Sequence, residues 1–292
     1  MLHKEVLLKL LDNFVRVCNE HGLRYYLAGG SVLGAVRHKG FIPWDDDIDV
    51  YLPRRDYEAI QQLPDSVWGS EFRLASWHKV KNYRYDFIKL ELRDTTIIER
   101  FHPDYVGGVF LDIIPLDVVS EDDRVRGAQL KKIQAITKEY VEAYIKDDCE
   151  CTTIAELIKL KIIRWKNRRP HILDEWDRLA SAYPNSDKLI IDYHSPWIDR
   201  PMPIEYIGEG VEMEFEGKQY RVPSDWDAYL KHIYGDYMTL PPIGQQRGHS
   251  FPYADYSRKI DANEARSLLF RMHRERAFHF SMRREIAAIK NR

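Results

Sequence analysis

Apolar residues recur at helical spacing near the start of the chain, where Val6, Leu7, Leu10, Leu11, Phe14, Val15 and Val17 are separated by charged positions. This is the pattern of an amphipathic helix with one buried stripe. His21-Gly22 ends it, and Leu23 to Ala28 predicts a short strand running into Gly29-Gly30-Ser31. Val32 to His38 then predicts a helix that Gly40 stops. After Pro43-Trp44 comes DDDIDVYL, residues 45–52, in which Ile48, Val50 and Leu52 alternate with Asp49 and Tyr51. That alternation predicts a strand with carboxylates along one face. Pro53 opens a helix to about Gln62, and Glu71–Trp77, Tyr83–Arg93 and Val109–Ile114 read as further strands of the same sheet.

The pattern changes near Ser120. From Glu121 to Tyr183 the chain turns to charged helical repeats with few Gly or Pro. The expected fold class is therefore α/β (α+β), a mixed sheet with flanking helices and an added helical segment. It divides into a core over 1–120, a helical insertion or second lobe over 121–200, and a C-terminal part over 201–292. Within the last, residues 211–223 predict a hairpin about Glu216-Gly217, and Ser224 is the expected cap of the next helix. A polar loop, LPPIGQQRGHSFPY, follows, and Asp261 to Lys290 reads as an Arg-rich helix.

Composition narrows the class. Over 292 residues the chain is 44% hydrophobic and 31% charged, with 44 Lys+Arg against 46 Asp+Glu for a net charge of -2. That excludes a disordered or fibrous chain and argues against a global electrostatic grip on nucleic acid. Cys149 and Cys151 are too close for an ordinary disulfide, so a reduced, cytoplasmic setting is expected. The N-terminus lacks the uninterrupted apolar core of a signal peptide.

The chemistry concentrates in the acidic run. If it is extended, Asp45, Asp47 and Asp49 share a face, and at about 6 Å with an effective dielectric near 20 each pair repels by roughly 3 kcal/mol. A hard divalent cation, Mg²⁺ or Mn²⁺, is the natural partner, and such ions commonly grip substrate phosphates. Gly29-Gly30-Ser31 at a strand end and helix start suits phosphate oxygens, held by backbone N–H groups and the Ser31 hydroxyl. Arg37, His38 and Lys39 follow and add positive charge.

Residues 27–58, LAGGSVLGAVRHKGFIPWDDDIDVYLPRRDYE, closely resemble the signature of the LicD family, phosphocholine transferases of bacterial surface glycans related to the fukutin group and built on the nucleotidyltransferase fold. VFLDIIPLD (109–117) and WDAYLKHIYGDYMTLPP (226–242) followed by Arg247 and His249 agree with it, whereas residues 121–200 match nothing in it. The resemblance implies metal-dependent transfer of a phospho-alcohol, typically phosphocholine from CDP-choline, to a sugar hydroxyl, with CMP released. Gly30 and Ser31 match the Gly-Ser turn, and Asp47 and Asp49 match the paired metal-binding carboxylates. Asp45 is a further acid of the cluster, so either Asp45 or Asp47 is the first ligand. The third carboxylate of such folds maps to Asp112, with Asp117 as the alternative, and Asp112 is the preferred proton acceptor. Arg247 and His249 would reach the nucleotide or phosphate.

A choline head group calls for ring faces, and Trp44, Tyr83, Tyr85, Trp226, Tyr234 and Tyr237 are candidate walls. Ribitol or glycerol phosphate stays open as cargo. So do two other readings of the chain: transfer of a nucleoside monophosphate with release of pyrophosphate, and a non-catalytic nucleotide-binding protein. The basic C-terminal helix docks either on the protein's own core or peripherally on an anionic membrane, where a lipid-linked glycan acceptor would be assembled.

Overall fold

The amphipathic stripe becomes α1 (His3–His21), whose Val6, Leu7, Leu10, Leu11, Phe14, Val17 and Cys18 are buried. Each large apolar side chain removed from water contributes roughly 1.5–3 kcal/mol, so α1 is held by packing more than by its own propensity. The structure, a computed structural model, describes residues 3–99, 105–141, 153–166, 171–183, 188–194, 199–248 and 251–272.

A mixed sheet organises the core. It contains β1 (Tyr26–Leu27), β2 (Asp49–Pro53), β3 (Phe72–Ala75), β4 (Ile88–Leu92) and, beyond β5 (Thr96–Ile98), which pairs elsewhere, β6 (Phe110–Val119), in the order β1-β2-β6-β4-β3. Only β2 and β6 of this set run parallel. A parallel pair needs a crossover, and it starts with α3 (Arg54–Gln62), which follows β2 directly and packs on both strands. Side chains alternate between the faces. Val50, Leu52, Ile88, Leu90, Leu111 and Ile113 are fully buried in the same cluster as α1. Asp49, Tyr51, Lys89, Glu91 and Asp112, their neighbours in sequence, fall on the other face.

Beyond β2, β6 continues and pairs antiparallel with β7 (Leu189–Ile191), which pairs with β8 (Met202–Pro203). Over that end sits a second apolar cluster, including Val119, Ile133, Ile136, Trp176 and Ile191. Its helices are α4 (Asp123–Tyr140) and α6 (Ile172–Ala180), with α5 (Ile154–Lys166) between them in sequence. The helical segment thus has its own cluster but shares a strand pairing with the core.

After α7 (Ile204–Ile207), β9 (Val211–Phe215) and β10 (Lys218–Val222) form the expected hairpin. Its turn residues Glu216 and Gly217 have φ of 51° and 76°, as a two-residue hairpin loop matched to strand twist requires. The cap of α8 (Trp226–Tyr234) is Asp225, not Ser224: Asp225 accepts from Ala228 N–H at 3.0 Å, while Ser224 Oγ accepts from Gly210 N–H at 2.8 Å. Last come β11 (Tyr253–Asp255), paired with β5, and a helix over 262–272. Most of the basic C-terminal stretch lies outside the described residues. Among the described residues no helix is long and apolar enough to cross a membrane.

Arg54 ties the core to the helical segment. Its Nε and Nη2 donate to the two oxygens of Asp117 at 2.7 Å, and Nη1 donates to Asp177 Oδ1 at 2.6 Å. Burial disfavours the charged guanidinium, but Asp117 and Asp177 outweigh it and raise its pKa. Removing one partner of such a group strands a buried charge. Arg54→Ala is therefore expected to lower unfolding free energy by about 3–5 kcal/mol in chemical denaturation, and Arg54→Lys to recover only part, because lysine lacks the planar fork. Wild-type stability in Arg54→Ala would contradict this.

Candidate active site

Three adjacent strands line up Asp49, Asp112 and Lys89: Asp49 is paired with Asp112 across β2 and β6, and Asp112 with Lys89 across β6 and β4. Strands this close put like charges about 5 Å apart, and Lys89 answers one of them. Its Nζ lies 3.2 Å from Asp112 Oδ1 and 2.9 Å from Glu99 Oε2. The Phe110 and Tyr85 ring centroids stand 3.4 and 4.0 Å from the same ammonium. Burial lowers the Lys89 pKa, but Asp112 and Glu99 together raise it above the ordinary lysine value. Asp49 is in the opposite position. Burial, then Asp47, Asp112 and Asp45, push its carboxyl well above the usual carboxylate range.

The acidic run is organised differently from expectation. β2 begins only at Asp49, so Asp45 and Asp47 do not share a strand face. Instead the chain turns at Pro43-Trp44, with Asp45 N–H donating to Ile42 O at 2.9 Å. This turn gathers Asp45, Asp46 and Asp47, with one carboxylate oxygen of each within 4.8 Å of the others. Asp46, absent from the expected set, thereby joins the cluster.

α2 (Gly29–His38) starts against these acids. The glycines are its first turn rather than a loop before it. A Cβ on Gly30 would stand 2.9 Å from Asp45 Oδ2, and one on Gly29 would stand 3.9 Å from Asp49 Oδ2. Carboxylates at a helix N-terminus are favoured by the helix dipole. Gly29 N–H donates to Tyr229 Oη at 2.8 Å, and Ser31 N–H to Ala28 O at 2.9 Å. The Ser31 hydroxyl is buried and accepts from Asp49 N–H at 3.2 Å. Gly-Gly-Ser therefore joins α2 to β2 and α8.

The other candidates divide. Arg37 donates to Tyr237 O at 2.9 Å. Lys39 caps the far end of α2 with a left-handed φ of 57° and reaches Glu214 Oε2 of the hairpin at 3.4 Å, so it is not brought to the acids; a helix of this length separates its ends by roughly 15 Å. Asp117, an odd number of residues from Asp112, falls on the opposite face and is engaged by Arg54, which leaves Asp112 as the carboxylate of β6 on the site face. The polar loop does reach the acidic turn. A Cβ on Gly248 would meet Trp44 O at 2.5 Å and Asp46 Oδ2 at 2.8 Å. Arg247 is exposed beside it, and His249 lies outside the described residues.

Of the aromatic candidates, Tyr85 does face a cation, but that cation is Lys89. The Tyr234 hydroxyl lies 3.5 Å from the Cβ position of Gly29, and burial, then Tyr229, Asp49, Asp45 and Asp47, raise its pKa. Tyr83 and Tyr237 are buried, and Trp44 and Trp226 pack against the core. Lys89, Glu99, Tyr229 and the pair Tyr51–Asp192, joined at 2.7 Å, were missed by sequence reasoning. A lysine inside the apolar run FIKLEL was the available signal for the first.

These charges set a pH dependence. A carboxyl whose folded pKa is raised contributes stability at low pH that is lost as pH rises through that raised value. Asp49→Asn is free of this loss. In chelator at pH 8 the variant is expected to melt a few degrees above wild type, about 2–4 °C per kcal/mol for a chain of this size, and the gap is expected to narrow at pH 5. A variant less stable than wild type at pH 8 would contradict the account.

The family model described as LicD/FKTN/FKRP, nucleotidyltransferase domain, matches residues 22–121. The lipopolysaccharide cholinephosphotransferase LicD of Haemophilus influenzae is 28% identical over 248 residues, covering 84% of this chain and 93% of that protein. The ribitol 5-phosphate transferase FKRP of Homo sapiens is 35% identical over 81 residues, 28% of this chain and 16% of that protein; that of Mus musculus is 45% identical over 56 residues, 19% and 11%. The human and mouse matches are confined to short spans, whereas the Haemophilus alignment continues through most of both chains, and residues 22–121 carry the match to the LicD-type nucleotidyltransferase domain.

Proposed function

We propose that this protein is a divalent-cation-dependent transferase that moves phosphocholine, or a similar phospho-alcohol, from a CDP-linked donor to a hydroxyl of a cell-surface glycan or its precursor, releasing CMP. The similarity to the Haemophilus protein supports transfer of a phosphoryl alcohol to a glycan. The observation that carries the reading at residue level is the register that sets Asp49 beside Asp112, next to the turn holding Asp45 and Asp47.

The donor set fits Mg²⁺ or Mn²⁺. Every candidate ligand is a hard carboxylate oxygen, and the raised Asp49 pKa marks a site short of positive charge. Asp45, Asp47, Asp49 and Asp112 would hold the ion, with Asp46 gathered beside Asp45 and Asp47 in the turn. When bound, a cation neutralises donor phosphates and lowers the pKa of an acceptor hydroxyl.

The chain's own residues do the rest. Asp112, held at Oδ1 by Lys89, takes the proton of the acceptor hydroxyl. The acceptor oxygen bonds to the phosphorus bearing the alcohol as its bond to the CMP oxygen breaks, and the electron pair leaves with CMP. Such transfers depend mostly on positioning and charge neutralisation. Because Lys89 fills the Tyr85–Phe110 box, a choline cargo would meet Tyr234 at the rim of the acids instead.

Two outcomes are expected. Incubation with CDP-choline, CDP-ribitol or CDP-glycerol should release CMP from one donor only with Mg²⁺ or Mn²⁺, and Asp47→Asn/Asp49→Asn should reduce the rate by about a thousandfold or more, the scale of losing a principal electrostatic contribution. Pyrophosphate from a nucleoside triphosphate, with no CMP from any donor, would overturn the proposal. Mn²⁺ should also raise the melting temperature more at pH 8 than at pH 5, since protons compete with the ion at Asp49. An equal shift at both pH values would contradict the assigned ligands.

A further inference from the structure

A cavity of about 450 Å³ opens between residues 77–84 of the core and the helical segment. We infer that it is the acceptor subsite and takes a sugar carrying an anionic group, a phosphate or a carboxylate; this rests on the reading of the protein as a glycan-directed transferase. The walls are Trp77 and Tyr83 on the core side and Tyr140, Ile172 and Leu173 on the side of α4 and α6, with Lys81 and Arg84 contributing cations. Aromatic faces beside cationic donors suit a ring with apolar C–H faces and a negative substituent. The size lies within the usual range for small-ligand sites, about 300–1,000 Å³.

Among the described residues that line the cavity, the formal charges are those of Lys79, Lys81 and Arg84. Asp174, next to Leu173, accepts from Trp77 Nε1 at 2.9 Å and has His78 Nε2 at 3.4 Å and His171 Nδ1 at 3.1 Å. Lys79 is paired with Asp65 at 3.1 Å, whereas Lys81 is exposed at the opening.

The cavity is backed by a stack of side chains that leads to the acids. The Tyr83 ring lies 5.4 Å from that of Tyr85, whose centroid is 4.0 Å from Lys89 Nζ, itself 3.2 Å from Asp112 Oδ1. Moreover, Tyr140, Ile172 and Leu173 follow the span of the family domain, which ends at residue 121. Part of the cavity wall thus lies beyond the span of the family domain.

The test is calorimetric titration with glucose 6-phosphate, glucuronate, glucose and inorganic phosphate, on wild type, Lys81→Glu and Trp77→Ala, with thermal unfolding to confirm that both variants fold. One anionic sugar is expected to bind at least about tenfold more tightly than glucose and than inorganic phosphate. Which sugar it is separates phosphate from carboxylate recognition. Lys81→Glu should weaken that binding about tenfold, or 1.4 kcal/mol, and in folded Trp77→Ala it should be lost. Acceptor-free CMP release from the donor should be unchanged in both variants. Equal affinity for charged and neutral sugars, or binding indifferent to Lys81→Glu, would overturn the inference. Loss of CMP release in wild type with sugar binding intact would instead count against the transferase reading alone.

Discussion

Two carboxylates facing each other across a parallel strand pair, Asp49 on β2 and Asp112 on β6, set the problem that the surrounding structure answers. Like charges at strand spacing repel by several kcal/mol at moderate dielectric. Lys89 answers for Asp112 from the next strand, steadied by Glu99 and by the faces of Phe110 and Tyr85. Asp49 receives a backbone tie to Ser31 and the positive end of α2, but its carboxyl still stands well above its ordinary pKa. Such a residue on a rigid strand favours added positive charge beside it, which is the physical ground of the proposed divalent-cation site.

The same site draws distant parts of the chain together. Tyr229 on α8 accepts from Gly29 at the start of α2, and Gly248 lies against Trp44 and Asp46. The C-terminal third therefore completes the wall of a site whose acids all lie in the first 112 residues. On the far side, the bidentate clamp of Arg54 on Asp117, extended to Asp177, fixes α6 to the end of β6. The helical segment and the carboxylates thus share one strand.

Much of this was legible in the residues. α1, the hairpin with its positive-φ turn, and the strands carrying Asp49 and Asp112 follow from periodicity and turn chemistry alone. Two kinds of feature were not. Short strands such as β5, β7 and β11 have only three residues each, too few for a period to show, and they exist because partners far along the chain satisfy their backbone groups. The acidic turn defeated the alternation rule because a local bond from Asp45 N–H to Ile42 O outcompetes extension there. Lys39 looked basic and close in sequence, yet one helix length carries it to Glu214. Asp112 and Asp117 resemble each other as buried-looking acids in an apolar strand, and strand parity with the Arg54 clamp separates them.

The central claim is that Asp49 and Asp112 hold a divalent cation together with the acidic turn. Anomalous diffraction from crystals soaked in Mn²⁺ tests it most directly. The account predicts an anomalous peak bounded by carboxylate oxygens of Asp49 and Asp112 and at least one of Asp45 and Asp47. A peak confined to the turn and remote from both strands, or none at a saturating Mn²⁺ concentration, would contradict it.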